Sequence, residues 1–148
     1  MSHIWRRIPV PVEHVAGIAA GLLVQRWRRS RLPRRLRPVG LVLVVGGSTA
    51  IVMAVRERGG GDVDTPERLA TTGLHGLTRN PMYLAWSTLH IGLGMALRSP
   101  WVVATWPASF RAIRRSVARE EAWLSTRFGQ EYATYRDRVP RYLGIRGG

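Results

Sequence analysis

The sequence contains neither lysine nor cysteine, and all 23 of its basic residues are arginine. The absence of cysteine excludes disulfide bonds and thiol chemistry. Two nucleotide-binding motifs are also missing. No Gly-Lys-Ser/Thr sequence follows the glycines at 59–61, which excludes a P-loop. No GxGxxG sequence follows a strand pattern, which argues against a soluble Rossmann-type enzyme.

Positive charge dominates the chain and is segregated along it. The formal net charge is +14, yet the mean hydropathy is only -0.08, because arginine-dense stretches alternate with apolar runs. Such a charge would suit a nucleic-acid-binding protein. Arginines between apolar runs are more often anchors at anionic lipid head groups. We therefore predict a membrane protein in contact with lipids and expect no nucleic-acid partner.

Apolar segments predict an all-α, polytopic membrane protein with about four spans, organised as a single domain over residues 1–148. Gly17 and Gly21 in the first segment have the spacing that lets helices approach closely in lipid, and Gly46 and Ala50 repeat it in the second. The four segments are Val10–Gln25, Val39–Val55, Met82–Leu97 and Trp101 to about Arg119.

The remaining stretches are polar. The N-terminal sequence lacks an apolar core followed by a small-residue cleavage site, so we predict no removable signal peptide. A short amphipathic helix is predicted at 65–72, with Thr65 as its N-cap. From Val117 to Val139, apolar residues recur every three or four positions, interrupted at Gly129. Arginines on the opposite face predict a C-terminal amphipathic helix on the membrane surface.

The stretch GLHGLTRNPMY, residues 73–83, places an arginine, an amide and a proline where a loop leads into the third segment. Pro81 suits the first helical turn, because its missing N–H would be unbonded there. Arg79 and Asn80 then lie at a helix N-terminus, where backbone donors and the helix dipole favour an anionic group. An arginine at this depth in a membrane protein indicates a functional site.

The third and fourth segments predict a helical hairpin with a tight break at 98–100. At 1.5 Å per residue its arms rise by roughly 24 and 28 Å, so they return to nearly the same level. The hairpin therefore brings residues from the two feet close together. Those residues are Arg79, Asn80, Tyr83, Glu120 and Glu121.

Paired carboxylates beside an arginine and an aromatic ring suit a zwitterionic ligand such as S-adenosylmethionine. A guanidinium binds a carboxylate with two hydrogen bonds, a glutamate accepts from an ammonium, and Tyr83 offers its ring to a sulfonium. Each feature alone also has a simpler explanation. The arginine can be a head-group anchor, and the glutamates can belong to a surface salt-bridge lattice. Their meeting at the hairpin favours the ligand site.

Two stretches, TTGLHGLTRNPMYLAW and REEAWLSTRFGQEYATYRDRVPRYL, resemble the isoprenylcysteine carboxyl methyltransferase and phospholipid methyltransferase superfamily. These are small integral-membrane enzymes that use S-adenosylmethionine, and the resemblance covers about residues 66–143. It implies that Phe128, Gly129, Tyr132 and Tyr135 help to cover the cofactor pocket from the membrane surface. The predicted catalytic residues are Arg79, Glu120 and Glu121. The predicted cofactor-binding residues are Gly73, Arg79, Asn80, Pro81, Tyr83, Glu120, Glu121, Tyr132 and Tyr135.

The resemblance implies transfer of a methyl group to a lipid-like or amphipathic acceptor, of carboxyl, amine or thiol type. Asn80 stands where the eukaryotic prenylcysteine enzymes have histidine and where bacterial relatives often have asparagine, which implies a bacterial inner-membrane enzyme. Trp86 and His90, four residues apart on the third segment, are predicted to line the acceptor's path, with packing as the other role for His90.

Two alternative functions stay open. One is a non-catalytic arginine-rich membrane protein that binds anionic lipid or nucleic acid, and the other is a related membrane reductase with a nicotinamide cofactor. The four histidines form no cluster with carboxylates at ligand spacing, so we predict no metal. Four spans would place 15 arginines on the side of the Arg56–Arg79 loop and eight on the other, which predicts a cytoplasmic active site. The dense loop Arg26–Arg37 then lies on the minority side.

Overall fold

The computed structural model describes residues 10–59 and 67–144. These residues form four α-helices and two short 3₁₀ turns, and they contain no β-strand. The all-α prediction is confirmed, and each of the four apolar segments overlaps a helix. The helices are α1 (Val12–Trp27), α2 (Arg37–Arg58), α3 (Pro81–Ala96) and α4 (Pro100–Arg138).

Among the described residues, one helical stretch is long and apolar enough to cross a membrane. It is Arg34–Arg58, which is 25 residues long and consists of α2 and the 3₁₀ turn before it. Helices α1 and α3 have 16 residues each. At 1.5 Å per residue this is about 24 Å, short of the ~30 Å thickness of the hydrocarbon layer. The structure therefore supports a span at α2.

The prediction of a short helix at 65–72 is wrong for residues 67–72, which the structure describes. Thr65 and Pro66 lie outside the described residues, and no residue from 67 to 72 is helical. A 3₁₀ turn follows instead at Gly73–Gly76. Gly73 begins this turn with a φ of 63°, a left-handed conformation that favours glycine and cannot continue an α-helix.

Helix α4 joins two helices that the sequence suggested were separate. It runs from Pro100 to Arg138 with non-helical torsion angles at Gly129, where φ is 50° and ψ is -121°. The predicted interruption at Gly129 is confirmed. The helix continues from the apolar segment into the charged one because residues 108–128 contain neither glycine nor proline.

The chain forms two compact units. The apolar unit consists of Val10–Thr49 and Tyr83–Arg114. The polar unit has the described residues 50–59, 67–82 and 115–144. Each unit draws on several helices, so residues far apart in sequence pack together in it.

In the apolar unit, glycines let α2 and α3 pack backbone against backbone. A Cβ atom at Gly47 would lie 2.8 Å from the backbone nitrogen of Leu89, and one at Gly92 would lie 2.8 Å from that of Val44. The close approach suggested at Gly46 is wrong, since no other helix among the described residues has an atom within 4 Å of the position of its Cβ. Its neighbour Gly47 makes the contact, because adjacent residues point about 100° apart around a helix.

The small-residue pair of α1 packs against α4, as its spacing predicted. A Cβ atom at Gly21 would lie 2.7 Å from the backbone nitrogen of Val102. Gly17 faces Ser109, whose side chain occupies the space that a Cβ would need. Close backbone contact of this kind is a main source of helix association in lipid.

Two fully buried histidines link α1, α3 and α4. His90 Nε2 is 2.9 Å from the carbonyl oxygen of Val102 and must carry a proton, because a carbonyl only accepts. In the neutral pair, His90 Nδ1 then accepts from His14 Nδ1 at 2.9 Å. His14 Nε2 in turn accepts from the hydroxyl of Ser87 at 3.3 Å. This chain of hydrogen bonds fixes the tautomer of both rings.

We expect His14→Ala to destabilise the protein by ~2–3 kcal/mol, because it leaves a cavity and removes the partners of two buried polar groups. Thermal unfolding in detergent would measure this loss. Val15→Ala on the same helix is the matched control, since its side chain is 45% exposed, and its effect should stay within about 0.5 kcal/mol. Equal, small effects of both substitutions would contradict a stabilising role for the histidine pair.

Candidate functional site

The polar unit is built around an aromatic cluster on the last part of α4. Tyr132, Tyr135 and Val139 are buried together, and Leu69, Leu124 and Phe128 pack against them. Spacings of three and four residues place the three buried side chains on one helical face. The sequence identified this face correctly, and it forms a support for the polar residues beside it.

Glu121 lies at the centre of a polar cluster. Its Oε1 atom accepts a hydrogen bond from Asn80 Nδ2 at 3.2 Å and lies 3.6 Å from Arg79 Nη1. Its Oε2 atom accepts from Nη2 and Nε of Arg141 at 2.6 and 3.1 Å. The structure thus brings together Arg79, Asn80 and Glu121, three of the five residues that the hairpin predicted would meet.

A short segment after α4, which we call the C-terminal strap (residues 139–141), is bound to the start of α3. The backbone N–H of Arg79 donates to the carbonyl of Pro140 at 2.9 Å. The carbonyl of Arg141 accepts from the Thr78 hydroxyl at 2.9 Å and from Asn80 Nδ2 at 3.2 Å. These bonds fix the backbone on which Arg79 and Asn80 are placed.

A cavity of about 670 Å³ lies beside this cluster. The guanidinium of Arg79, whose side chain is only 4% exposed, and the buried ring of Tyr132 are on its wall. Within the described part of the chain, Nε and Nη1 of Arg79 and the hydroxyl of Tyr132 are buried without a hydrogen-bond partner. The cavity is lined by Arg79, Ala118, Glu121, Ala122, Ser125, Tyr132, Arg136, Asp137, Arg138, Val139, Pro140 and Arg141.

Comparison with known protein families gives one match. The family model described as phospholipid methyltransferase matches residues 36–131, well over half of the chain. The chain belongs to this family. The resemblance noted in the sequence is confirmed, and a membrane methyltransferase family is the context in which the site is interpreted. No curated protein matches the chain.

The region that matches the family includes only some of the residues that line the cavity. Arg79 and Glu121 lie inside the matched region, whereas Tyr132 and the C-terminal strap follow it. Part of the wall therefore lies outside the matched region.

Burial and charge set the ionisation of the groups around the cavity. Burial raises the pKa of the Tyr132 hydroxyl, with a further rise from Glu121 that Arg79 opposes. Burial likewise raises the pKa of Tyr135. The hydrogen bond to Glu121 raises the pKa of Arg141. Both phenols are therefore neutral donors near pH 7, and Arg141 stays charged.

Glu120 belongs to a second cluster. It forms an ion pair with Arg58. Glu57, the neighbour of Arg58, binds His75 Nδ1 at 2.7 Å and accepts from the backbone N–H of Leu74 at 2.8 Å. Burial lowers the pKa of His75, and its contact with Glu57 opposes this. The catalytic role of Glu120 stays a prediction.

Two other predicted residues of the polar unit are connected to this second cluster. The Tyr135 hydroxyl donates to the carbonyl of His75 at 2.6 Å. Gly73 begins the 3₁₀ turn that Glu57 binds, and the Glu57 side chain fills the space that a Cβ at Gly73 would need. Pro81 is the first residue of α3, as predicted.

The remaining predicted residues, Tyr83, Trp86 and His90, belong to the apolar unit. Both ring nitrogens of His90 are hydrogen-bonded, which supports the packing role. Trp86 has a buried Nε1 atom without a hydrogen-bond partner among the described residues. A path for the acceptor along this face of α3 stays a prediction.

Three residues of the two clusters were missed from the sequence: Glu57, Arg58 and Arg141. A carboxylate between Arg56 and Arg58, at the end of the most apolar helix, was a usable signal for Glu57 and its neighbour. Arg141 gave no such signal, since it is one of 23 arginines. Within residues 10–59 and 67–144, no three histidine, aspartate or glutamate side chains are placed to share a metal ion. The expectation of a metal-free site stays a prediction.

Proposed function

We propose that the protein is an S-adenosylmethionine-dependent methyltransferase whose cofactor binds in the cavity beside Glu121. The observation that carries this proposal is the lining of the cavity, which places the buried guanidinium of Arg79 and the carboxylate of Glu121 together with Tyr132. A cation and a carboxylate on one wall suit a ligand that carries groups of both charges. A volume of about 670 Å³ falls within the range of roughly 300–1,000 Å³ typical of small-molecule sites.

The residues present fit the polar groups of this cofactor. The guanidinium of Arg79 suits its carboxylate, Glu121 suits its ammonium or ribose hydroxyls, and Tyr132 adds an aromatic ring to the wall. When bound, S-adenosylmethionine would supply an electrophilic methyl group. The chain's own residues align the reacting groups and exclude water from them. One of the paired glutamates accepts a proton if the acceptor is an amine or hydroxyl.

We further propose that the apolar unit lies in the bilayer, with α1, α3 and the first part of α4 completing four membrane segments around α2. Large apolar side chains on α1 and α2 support this placement, because Val12, Val42 and Val45 are each about two thirds exposed or more. Exposed apolar surface of this extent suits lipid contact. The arginine distribution favours a bacterial inner membrane with the site facing the cytoplasm.

Calorimetry of the detergent-purified protein tests the cofactor assignment. S-adenosylmethionine is expected to bind, whereas duplex DNA and NADPH serve as control titrants. Binding of NADPH alone would favour the reductase, and binding of DNA alone would favour the non-catalytic hypothesis. Mass spectrometry of lipid extracts, incubated with the protein and isotope-labelled cofactor, would then identify the methyl acceptor.

We expect Trp86→Ala to weaken the use of long-chain acceptors more than it weakens cofactor binding. A lipid-like acceptor would enter laterally between helices, since carrying its apolar part through water is costly, and Trp86 lies on the same helical face as His90. The measurement is the relative activity on acceptors that differ only in chain length, with His90→Ala compared in parallel. Identical profiles for wild type and Trp86→Ala would exclude this face as the binding surface for the acceptor's tail.

A further inference from the structure

Four charged residues of the cavity wall lie beyond the region that matches the family: Arg136, Asp137, Arg138 and Arg141. The match ends at residue 131, whereas the wall continues through the last turns of α4 and the C-terminal strap. Among these four residues, Arg141 binds Glu121 directly.

Arg141 and Arg79 compete for the same carboxylate. Arg141 approaches both oxygens of Glu121, with Nη2 at 2.6 Å from Oε2 and Nε at 3.2 Å from Oε1. Asn80 also donates to Oε1 at 3.2 Å. Arg79 Nη1 lies 3.6 Å from Oε1, which is beyond hydrogen-bond distance. Both oxygens of Glu121 thus have closer donors than Arg79.

The consequence is that Arg79 has only a long ion pair with Glu121, at 3.6 Å, and no hydrogen bond to it. A buried guanidinium is strongly attracted to the nearest carboxylate, because an unpaired buried charge is costly. Here Glu121 is held by Arg141, and the backbone of Arg79 is bound to the carbonyl of Pro140. Nε and Nη1 of Arg79 accordingly have no hydrogen-bond partner in the described part of the chain.

We propose that Arg141 is a positioning residue: by holding Glu121, it keeps the guanidinium of Arg79 available for the carboxylate of a bound ligand. The proposal rests on the proposed function, since the carboxylate would be that of S-adenosylmethionine. Without Arg141, Glu121 turns to Arg79 and takes the place of the ligand's carboxylate. Recognition of that carboxylate therefore depends on a residue that does not contact it.

The test compares binding of S-adenosylmethionine with binding of its decarboxylated form, by calorimetry on the full-length protein in detergent. Wild type should bind the intact cofactor at least about tenfold more tightly, since hydrogen bonds between charged groups contribute about this factor. In Arg141→Met the ratio of the two affinities, intact over decarboxylated cofactor, should fall to about two or less. Arg141→Lys, which keeps a cation beside Glu121, should restore most of it.

A double variant separates positioning from simple structural support. Glu121→Gln in the Arg141→Met background should raise the ratio again, because an uncharged amide does not draw Arg79 away. Arg119→Met is the matched control, since Arg119 is an exposed arginine of α4 that donates to the Ser116 hydroxyl at 3.1 Å and does not line the cavity. It should leave the ratio unchanged. If Arg141→Met does not fold, Arg141→Gln replaces it, with an intermediate ratio expected.

The outcomes separate the two proposals. An unchanged ratio in Arg141→Met, or an equal fall in Arg119→Met, would overturn the role of Arg141 and leave the proposed function standing. Failure of wild type to bind either compound would overturn both.

Discussion

Arg79→Lys is expected to lower the affinity for S-adenosylmethionine by at least about tenfold, because lysine cannot form the paired hydrogen bonds of a guanidinium. The Arg79 side chain is nearly fully buried beside the cavity, and two of its nitrogens have no hydrogen-bond partner within the described residues. A lysine there would present a single ammonium, with different reach and geometry. Calorimetry on the purified variant gives the affinity directly.

The control for this prediction comes from the connector between α1 and α2. Its arginines are exposed, and anchoring at head groups requires only positive charge. Replacing Arg28, Arg29, Arg34 and Arg35 with lysine should therefore change cofactor affinity less than about twofold. Measured under one lipid condition, equal and small losses at both places would show that Arg79 is another anchor.

Glu121→Gln is expected to lower methyl transfer by about a hundredfold, within the range for loss of a positioned acid or base. Both oxygens of Glu121 accept hydrogen bonds from Arg141, and Asn80 donates to one of them. An amide would turn one acceptor into a donor and place it against another donor. The variant should stay folded in detergent, as checked by circular dichroism, while radiolabelled methyl transfer measures the loss.

Glu120→Gln is the variant to compare with Glu121→Gln, because the carboxylate of Glu120 pairs with Arg58 and that of Glu121 with Arg141. We expect it also to lower transfer strongly, and its pairing with Arg58 makes the cause testable. If Glu120 acts through Arg58, adding Arg58→Gln should cause no further loss. Wild-type rates in both glutamate variants, with unchanged cofactor affinity, would mean that the pair belongs to a surface salt-bridge lattice.

The helices were predictable because strong local sequence signals mark where they begin and end. Pro81 marks the start of α3, and the break near Arg98 separates α3 from α4. The glycine at 129 interrupts the periodic pattern of α4, as the torsion angles there confirm. Such signals act within a few residues, so sequence alone is sufficient to locate them. The meeting of Arg79 with Glu121 followed from the nearly equal lengths of the two predicted hairpin arms, which a short turn joins.

The parts that escaped prediction depend on contacts that no local pattern encodes. The C-terminal strap is held through carbonyl groups of Pro140 and Arg141, and every residue has such a group. Glu57 and His75 are separated by a long loop, and their contact depends on the path of that loop. The choice of Gly47 over Gly46 depends on which side of α2 meets α3, and the spacing of small residues does not define that side.

The break at Gly129 has a consequence for the handedness of the residue that can occupy it. Its φ of 50° and ψ of -121° are the mirror image of an ordinary extended conformation, which an L-residue adopts only with strain. Apart from its own chain neighbours, no described residue has an atom within 4 Å of the position of a Cβ there, so the restriction comes from the local backbone. A D-alanine introduced by chemical ligation would adopt these angles without that strain. It should stabilise the protein, because it restricts the unfolded chain more than glycine does.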